Sequence, residues 1–154
     1  MSIERAREYL KKFQLEERIQ EFEVSSATVE LAAEALHCEP KRIAKTLSFL
    51  VQEDTILIVT AGDAKIDNGK FKAKFHTKAK MIPADQVEER IGHAIGGVCP
   101  FGVYENVKVY LDESLQRFQT VFPACGSSNS AIELEIPELE RCSGFLEWID
   151  VCKL

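Results

Sequence analysis

The stretch KTLSFLVQEDTILIVTA, residues 45–61, contains the pattern that decides the fold. From Lys45 to Val51 every second residue lies on the same face, which indicates a β-strand. The run TILIVTA, residues 55–61, is apolar on both faces and is typical of a buried central strand. Because only a short acidic turn at 53–54 separates the two runs, we expect them to pair as an antiparallel hairpin.

The rest of the chain mixes helical and strand patterns without a repeating unit. Helices are predicted at residues 3–13, at 29–36 with Ser25 or Ser26 as the cap, around Phe71 and Phe75, at 84–92 after Pro83, and after Pro137. Strands are predicted at 107–111, 120–124 and 131–136, and in EWIDV, residues 147–151, which is expected to close the sheet. This order predicts an α+β fold in one domain, residues 1–154, with a mixed, largely antiparallel sheet.

Charge is unevenly distributed along the 154 residues, whose formal net charge is −6. This balance argues against a general nucleic-acid coat protein. Residues 65–80 nevertheless contain a single acidic residue, Asp67, and six lysines: Lys65, Lys70, Lys72, Lys74, Lys78 and Lys80. A basic block on an acidic body can attract a polyanion locally, although a solvated lysine-rich face would have the same composition.

Several classes of protein are not expected. No run of about 18 apolar residues is present and the N-terminus is charged from Glu4 onward, so we expect neither a membrane span nor a secretory signal, and a cytoplasmic location. The five cysteines include no C-x-x-C pair and no histidine at zinc-finger spacing. We therefore expect no disulfide framework, no metal and no cofactor.

Lys45 is the first candidate site residue, because a lysine begins a strand face that continues with apolar residues. A charged side chain on an inward face needs a pocket, a partner or an exit to solvent. In a cavity it would supply a positive charge to a carbonyl oxygen, a carboxylate or a phosphate. At the rim of the sheet it would simply extend into water.

The segment GGVCPFG, residues 96–102, is the second candidate. Its adjacent glycines would let a ligand approach the backbone N–H groups, and Pro100 restricts the residue before it, but a tight surface turn has the same composition. Cys99 could act as a nucleophile if its thiol pKa were lowered and a base such as His93 lay close. A buried structural cysteine is the alternative.

The loop CGSSNSA, residues 125–131, is the third candidate. It offers hydroxyl and amide groups to a small polar ligand from Gly126, Ser127, Ser128 and Asn129, or it forms a hydrophilic hairpin loop. The G-x-S-x-G elbow of serine hydrolases is absent from the sequence.

Taken together in order, four segments resemble the YbaK and prolyl-tRNA-synthetase-associated domain family. They are RIAKTLSFLV at 42–51, AGDAKID at 61–67, GGVCPFG at 96–102 and VFPACGSSNSAIEL at 121–134. Members of this family hydrolyse mischarged aminoacyl-tRNA. The resemblance covers nearly the whole chain and implies a sheet curved toward a barrel, surrounded by helices, with the active pocket across one face.

The resemblance also implies roles for individual residues. Lys45 falls on the family's near-invariant lysine, and the family's loop that holds the terminal adenosine of tRNA and a water falls on Gly96, Gly97, Val98, Cys99 and Pro100. It implies a freestanding aminoacyl-tRNA deacylase that needs no enzyme nucleophile, with the 65–80 lysines meeting the acceptor stem and a synthetase as a further partner. The alternative is a non-catalytic module that binds aminoacyl-tRNA or a synthetase.

Two departures concern the amino acid that is removed. Ala124 and Ala131 stand near positions where the branch that clears cysteinyl-tRNA(Pro) has a serine and an aspartate. The branch that clears alanyl-tRNA has a histidine in this region, and no histidine follows His93 here. The small polar groups at 126–130 favour a small amino acid such as serine, threonine or alanine.

Overall fold

Helices flank one main sheet and two short ribbons. The computed structural model describes residues 2–154, with side chains from Ile3 onward. The helices are α1 (Ser2–Lys11), α2 (Val29–Leu36), α3 (Asn68–Phe75), α4 (Val87–Ile91) and α5 (Ile136–Ser143). The strands are β1 (Gln20–Glu21), β2 (Ile43–Val51), β3 (Asp54–Ala61), β4 (Lys65–Ile66), β5 (Lys108–Asp112), β6 (Thr120–Pro123), β7 (Ser130–Ala131), β8 (Leu134–Glu135), β9 (Trp148–Ile149) and β10 (Cys152–Lys153). No helix in this range is both long and apolar enough to cross a membrane.

The hairpin predicted from the opening stretch is confirmed and lies at the centre of the main sheet. The strand order is β8-β6-β2-β3-β5-β9. β2 and β3 pair in antiparallel register, from Ala44 opposite Ala61 to Val51 opposite Asp54. Every residue of β3 after Asp54 is buried, which explains why its sequence is apolar on both faces.

The α+β class and the mixed sheet are also confirmed. The β2–β3 and β6–β8 ladders are antiparallel, whereas β2–β6, β3–β5 and β5–β9 are parallel. Parallel neighbours need long crossover connections, and here the helices and loops between the strands supply them. The sheet is curled into a half-barrel, as in solved structures of similar fold.

The single strand predicted at 131–136 was wrong in its extent. β7 pairs with β1 at the start of this segment, and β8 pairs with β6 two residues later. α5 then begins at Ile136, because Pro137 suits the first helical turn and Glu135 forms a capping box with Glu138. These local signals for a helix outweigh the alternating pattern.

The cap of α2 also differs from the prediction. The Thr28 hydroxyl accepts a hydrogen bond from the Leu31 N–H at 3.1 Å and so caps the helix. The hydroxyls of Ser25 and Ser26 instead donate to the Ser128 carbonyl, at 3.4 and 3.3 Å. The segment before α2 is therefore fastened to the 125–131 loop.

α3 carries the middle of the lysine-rich segment and is anchored by aromatic packing. The Phe71 ring is fully buried and lies 5.0 Å from the ring of Phe49 and 4.7 Å from that of Phe75. Phe75 in turn contacts the Tyr110 ring edge-on at 5.3 Å. The shared aromatic face predicted for α3 is confirmed, and its lysines are left on the outer surface.

Gly62→Ala is expected to destabilise the fold. A Cβ at position 62 would lie 2.0 Å from the Pro40 carbonyl oxygen, a backbone atom that cannot rotate away. We expect the free energy of unfolding to fall by about 1–3 kcal/mol, measured by urea denaturation. The control is Gly69→Ala in α3, whose Cβ would meet only the Asp67 carboxylate at 3.3 Å. An equal loss of unfolding free energy in the two variants would contradict the conclusion that close contact with the Pro40 carbonyl requires a glycine at position 62.

Candidate functional site

A cavity of about 400 Å³ opens beside the first half of β2. Its walls come from residues within five stretches of the chain: 26–32, 43–48, 81–87, 95–98 and 122–131. Most of the lining side chains are apolar. Among the lining residues that the structure describes, Lys45 alone carries a titratable side chain.

A gap in the edge of β2 creates this cavity. The β6 ladder covers β2 only at Ile43 and Ala44. Farther along β2, the Ser48 carbonyl accepts a hydrogen bond from the Ile82 N–H at 3.2 Å, and the Leu50 N–H donates one to the Lys80 carbonyl at 2.9 Å. Since backbone groups along an edge alternate in direction, those of residue 46 point into the gap.

Lys45 lines the cavity, and its ammonium group already has hydrogen-bond partners outside the lining. Its Nζ donates to the carbonyl of Ala64 at 2.5 Å and is 3.4 Å from that of Gly62. Burial lowers the pKa of Lys45, and the neighbouring Cys152 and Asp63 counter that effect. The AGDAKID segment thus holds this positive charge at the cavity.

The glycine-rich loop contributes two of its predicted residues to the cavity, Gly96 and Val98. Gly96 has a φ of +93°, which favours glycine. A Cβ on Gly97 would lie 2.4 Å from the backbone nitrogen of Ser127, so this glycine lets two loops pack backbone against backbone. Pro100 is buried outside the lining.

The predicted ligand groups at 126–129 lie outside the cavity lining: Gly126, Ser127, Ser128 and Asn129. Asn129 Nδ2 donates to the Phe22 carbonyl at 2.9 Å, and the Ser26 N–H donates to the Ser128 carbonyl at 2.6 Å. Their hydrogen bonds fasten residues 22–26, a segment that sequence reasoning did not connect to the site. A direct contact between residues 126–129 and a ligand stays a prediction.

Other lining residues were also missed. Thr46 has a buried hydroxyl oxygen without a hydrogen-bond partner among the described residues, and it lines the cavity. Met81 and Ile95, at 57% and 59% exposure, are large apolar side chains that line the cavity and remain open to solvent. Lys45 and Thr46 lie on opposite faces of β2, and both line the cavity because the edge of β2 is unpaired beside them. The pattern of apolar and polar residues in the sequence does not reveal such a gap in strand pairing.

Cys99 has the environment of a structural residue. Its side chain is fully buried outside the cavity lining, and burial raises the pKa of its thiol to about 12. The Sγ atom is 3.5 Å from His93 Nε2, but that nitrogen is 2.6 Å from the Phe101 carbonyl. Because a carbonyl only accepts, Nε2 carries the proton and cannot take one from the thiol.

The lysines of the 65–80 block are exposed, and none of them lines the cavity. Two of these lysines form ion pairs, Lys70 with Asp150 at 3.0 Å and Lys74 with Glu147 at 2.5 Å. Among residues 3–154, the other four have no ion pair: Lys65, Lys72, Lys78 and Lys80. Contact between the block and tRNA stays a prediction.

Known proteins provide three informative matches. The sequence model of the family described as "Aminoacyl-tRNA editing domain" matches residues 23–142. YwhH of Bacillus subtilis (strain 168), whose name states no activity, is 55% identical over 99% of this chain and 98% of its own length. A crystal structure described as that of a candidate trans-editing enzyme for prolyl-tRNA synthetase superposes with a TM-score of 0.88 at 27% identity, covering 99% of this chain and 98% of the other.

More distant relatives are longer than this chain. EbsC of Enterococcus faecalis (strain ATCC 700802 / V583), named as a candidate Cys-tRNA(Pro)/Cys-tRNA(Cys) deacylase, is 29% identical over 70% of this chain and 66% of its own length. Proline–tRNA ligases also match, among them that of Aquifex aeolicus (strain VF5), at 31% identity. The chain spans between 15% and 22% of the length of these ligases.

Thiol labelling tests the account of the cysteines. We expect iodoacetamide to modify the half-buried Cys38 at least about tenfold faster than Cys99 in the native protein, because the latter is shielded and its thiolate is disfavoured. Peptide mass spectrometry after timed alkylation would measure the rates, with urea-unfolded protein as the control in which all five thiols react. Rapid native labelling of Cys99 would contradict its structural role.

Proposed function

Because the chain belongs to the aminoacyl-tRNA editing domain family, we propose that it is a deacylase that hydrolyses the ester of a mischarged aminoacyl-tRNA in trans. One observation carries the proposal: Lys45 lines the same cavity as Gly96 and Val98 of the glycine-rich loop, although they are far apart in sequence. The names given to EbsC and to the solved structure of the candidate trans-editing enzyme indicate the same reaction class.

The cavity suits a reaction without an enzyme nucleophile. Its wall, within the described part of the chain, contains no histidine, carboxylate or thiol that could activate a hydroxyl. Hydrolysis then depends on a positioned water and on stabilisation of the developing oxyanion. Lys45 supplies the positive charge, directed at the ester carbonyl or a terminal phosphate, and backbone groups of the 96–100 loop orient the terminal ribose and the water. A ribose hydroxyl of the substrate helps to activate that water.

The cavity wall also supports selection by size. Ala44, Ala124 and Ala131 keep part of the wall small, while Ile82 and Phe122 bound the space with bulky side chains. We propose that a small amino acid such as serine, threonine or alanine is accepted and that larger cognate amino acids are excluded. Editing sites achieve specificity by this second sieve when the first binding step cannot.

A panel of aminoacyl-tRNAs tests the reaction class and the amino acid together. We expect faster ester hydrolysis than in buffer for seryl-, threonyl- or alanyl-tRNA, and none for phenylalanyl-tRNA, because the bulky walls exclude it. Release of the labelled amino acid would be followed with time, with cysteinyl-tRNA(Pro) included because of the name of EbsC. A non-catalytic binding module would instead protect every ester, and that result would reject the proposal.

Lys45→Ala is expected to lower kcat/KM for deacylation by about 100-fold or more. The reason is that the substitution removes the only charged side chain among the described residues that line the cavity. The matched control is Lys41→Ala, which removes the same charge from an exposed position whose ammonium is 3.3 Å from the Glu39 carboxylate. Urea unfolding would confirm that both variants are folded. A Lys45→Ala enzyme with the rate of the wild type would remove this residue from the mechanism.

A further inference from the structure

A second cavity forms a groove on the lysine-rich surface, and two lysines without an ion pair among the described residues line it. We infer that this groove binds the phosphate backbone of the tRNA, an inference that rests on the proposed function for the identity of the RNA. The groove has a volume of about 500 Å³ and is lined by Asn68, Gly69, Lys72, Lys78 and Ala79. It lies between the start of α3 and the segment that leads to Met81.

The six lysines of the block fall into two groups with different environments. Lys70 Nζ donates to the Asp150 carboxylate at 3.0 Å and to the Cys152 carbonyl at 2.9 Å, and Lys74 pairs with Glu147 at 2.5 Å. These two ammonium groups therefore join α3 to the C-terminal strands. The ammonium groups of Lys72 and Lys78 have no partner within residues 3–154, so their charge is available to a ligand.

A second observation concerns two lysines outside the groove lining, one of which, Lys153, also lies near the Asp67 carboxylate. Lys65 of β4 lies directly opposite Lys153 of β10 in the antiparallel ribbon that precedes α3. Like charges at facing positions of two strands repel each other and destabilise the ribbon. A bound polyanion relieves this repulsion, because its charge screens both ammonium groups.

The groove lies close to the cavity beside β2. Ala79 lines the groove and Met81 lines the cavity, and two residues of extended chain span at most about 7 Å. Between them Lys80 is exposed and its carbonyl is fixed by the Leu50 N–H. A tRNA whose aminoacylated end enters the cavity therefore has part of its backbone within reach of this basic surface.

The chemistry of the surface favours an RNA backbone over a specific base. Lysine is a flexible point charge that suits single phosphates. Among the described residues that line the groove, none is an aromatic residue on which a base could stack. The acidic remainder of the chain repels RNA elsewhere, since the whole protein has a net charge of −6. We therefore expect RNA to bind at the lysine-rich surface and not at the acidic remainder of the protein.

Two double variants that remove the same number of lysines test the inference. The probe is a fluorescein-labelled, uncharged tRNA(Pro) transcript, and its affinity is measured by anisotropy at several salt concentrations. We expect Lys72→Ala/Lys78→Ala to weaken binding by about tenfold at low salt, and to reduce the magnitude of the salt slope by about 2, one for each lost phosphate contact. Lys70→Ala/Lys74→Ala should keep the affinity within about twofold of the wild type.

The control variant is demanding because it leaves the Asp150 and Glu147 carboxylates unpaired and so makes the surface more acidic. If diffuse charge attracted the tRNA, Lys70→Ala/Lys74→Ala would weaken binding at least as much as the groove variant, and the inference would be overturned. Unchanged tRNA affinity in the groove variant, or a loss only of binding to a prolyl-tRNA synthetase, would also overturn it.

The outcomes separate this inference from the proposed function, because uncharged tRNA binds without being hydrolysed. A wild-type protein that binds tRNA through Lys72 and Lys78 but releases no amino acid would support the groove and reject the deacylase. In an active enzyme, the groove variant should lose about tenfold in kcat/KM on intact aminoacyl-tRNA and nothing on aminoacyl-adenosine, which lacks the backbone. Equal losses on both substrates would overturn the inference.

Discussion

The backbone of β2 imposes the constraint on which the rest of the structure depends. A strand in the middle of a sheet must pair on both edges, because unpaired buried N–H and C=O groups are costly. β3 satisfies one edge along its whole length, whereas the other edge is shared between β6 at one end and residues 80–82 at the other. Along the stretch left between them, no strand within the described residues pairs with the polar backbone groups. A site for a polar ligand is therefore a direct consequence of how this sheet is assembled.

The loops around the cavity owe their positions to backbone contacts. Gly97 permits the 96–100 loop to touch the backbone of residues 126–127, and the latter loop fastens residues 22–26 by main-chain and side-chain hydrogen bonds. The polar residues at 126–129 have side chains of a kind that often binds ligands, but here they form hydrogen bonds between the segments that surround the cavity. Such bonding holds the residues that line the cavity on a rigid support.

The sequence was most informative where a pattern was local. Alternation in β2 and the apolar run of β3 identified the hairpin, and the odd placement of Lys45 on an apolar face identified a residue of the cavity. The contributions of Thr46 and Ile95 could not be predicted in this way, because they depend on which segment fails to cover an edge and on packing between distant loops. Cys99 attracted attention through its neighbours in sequence, yet its burial is set by elements far away in the chain.

The scattered origin of the walls has a consequence for protein synthesis. The cavity needs residues 26–32 on one side and 124–131 on another, and Ala131 is the last lining residue along the chain. A ribosome adds roughly 5–20 residues each second, so several seconds separate the appearance of Lys45 from that of the final wall. During that interval the growing polypeptide has its charged lysine but no enclosed chamber around it. The cavity is therefore complete only after most of the chain has been synthesised.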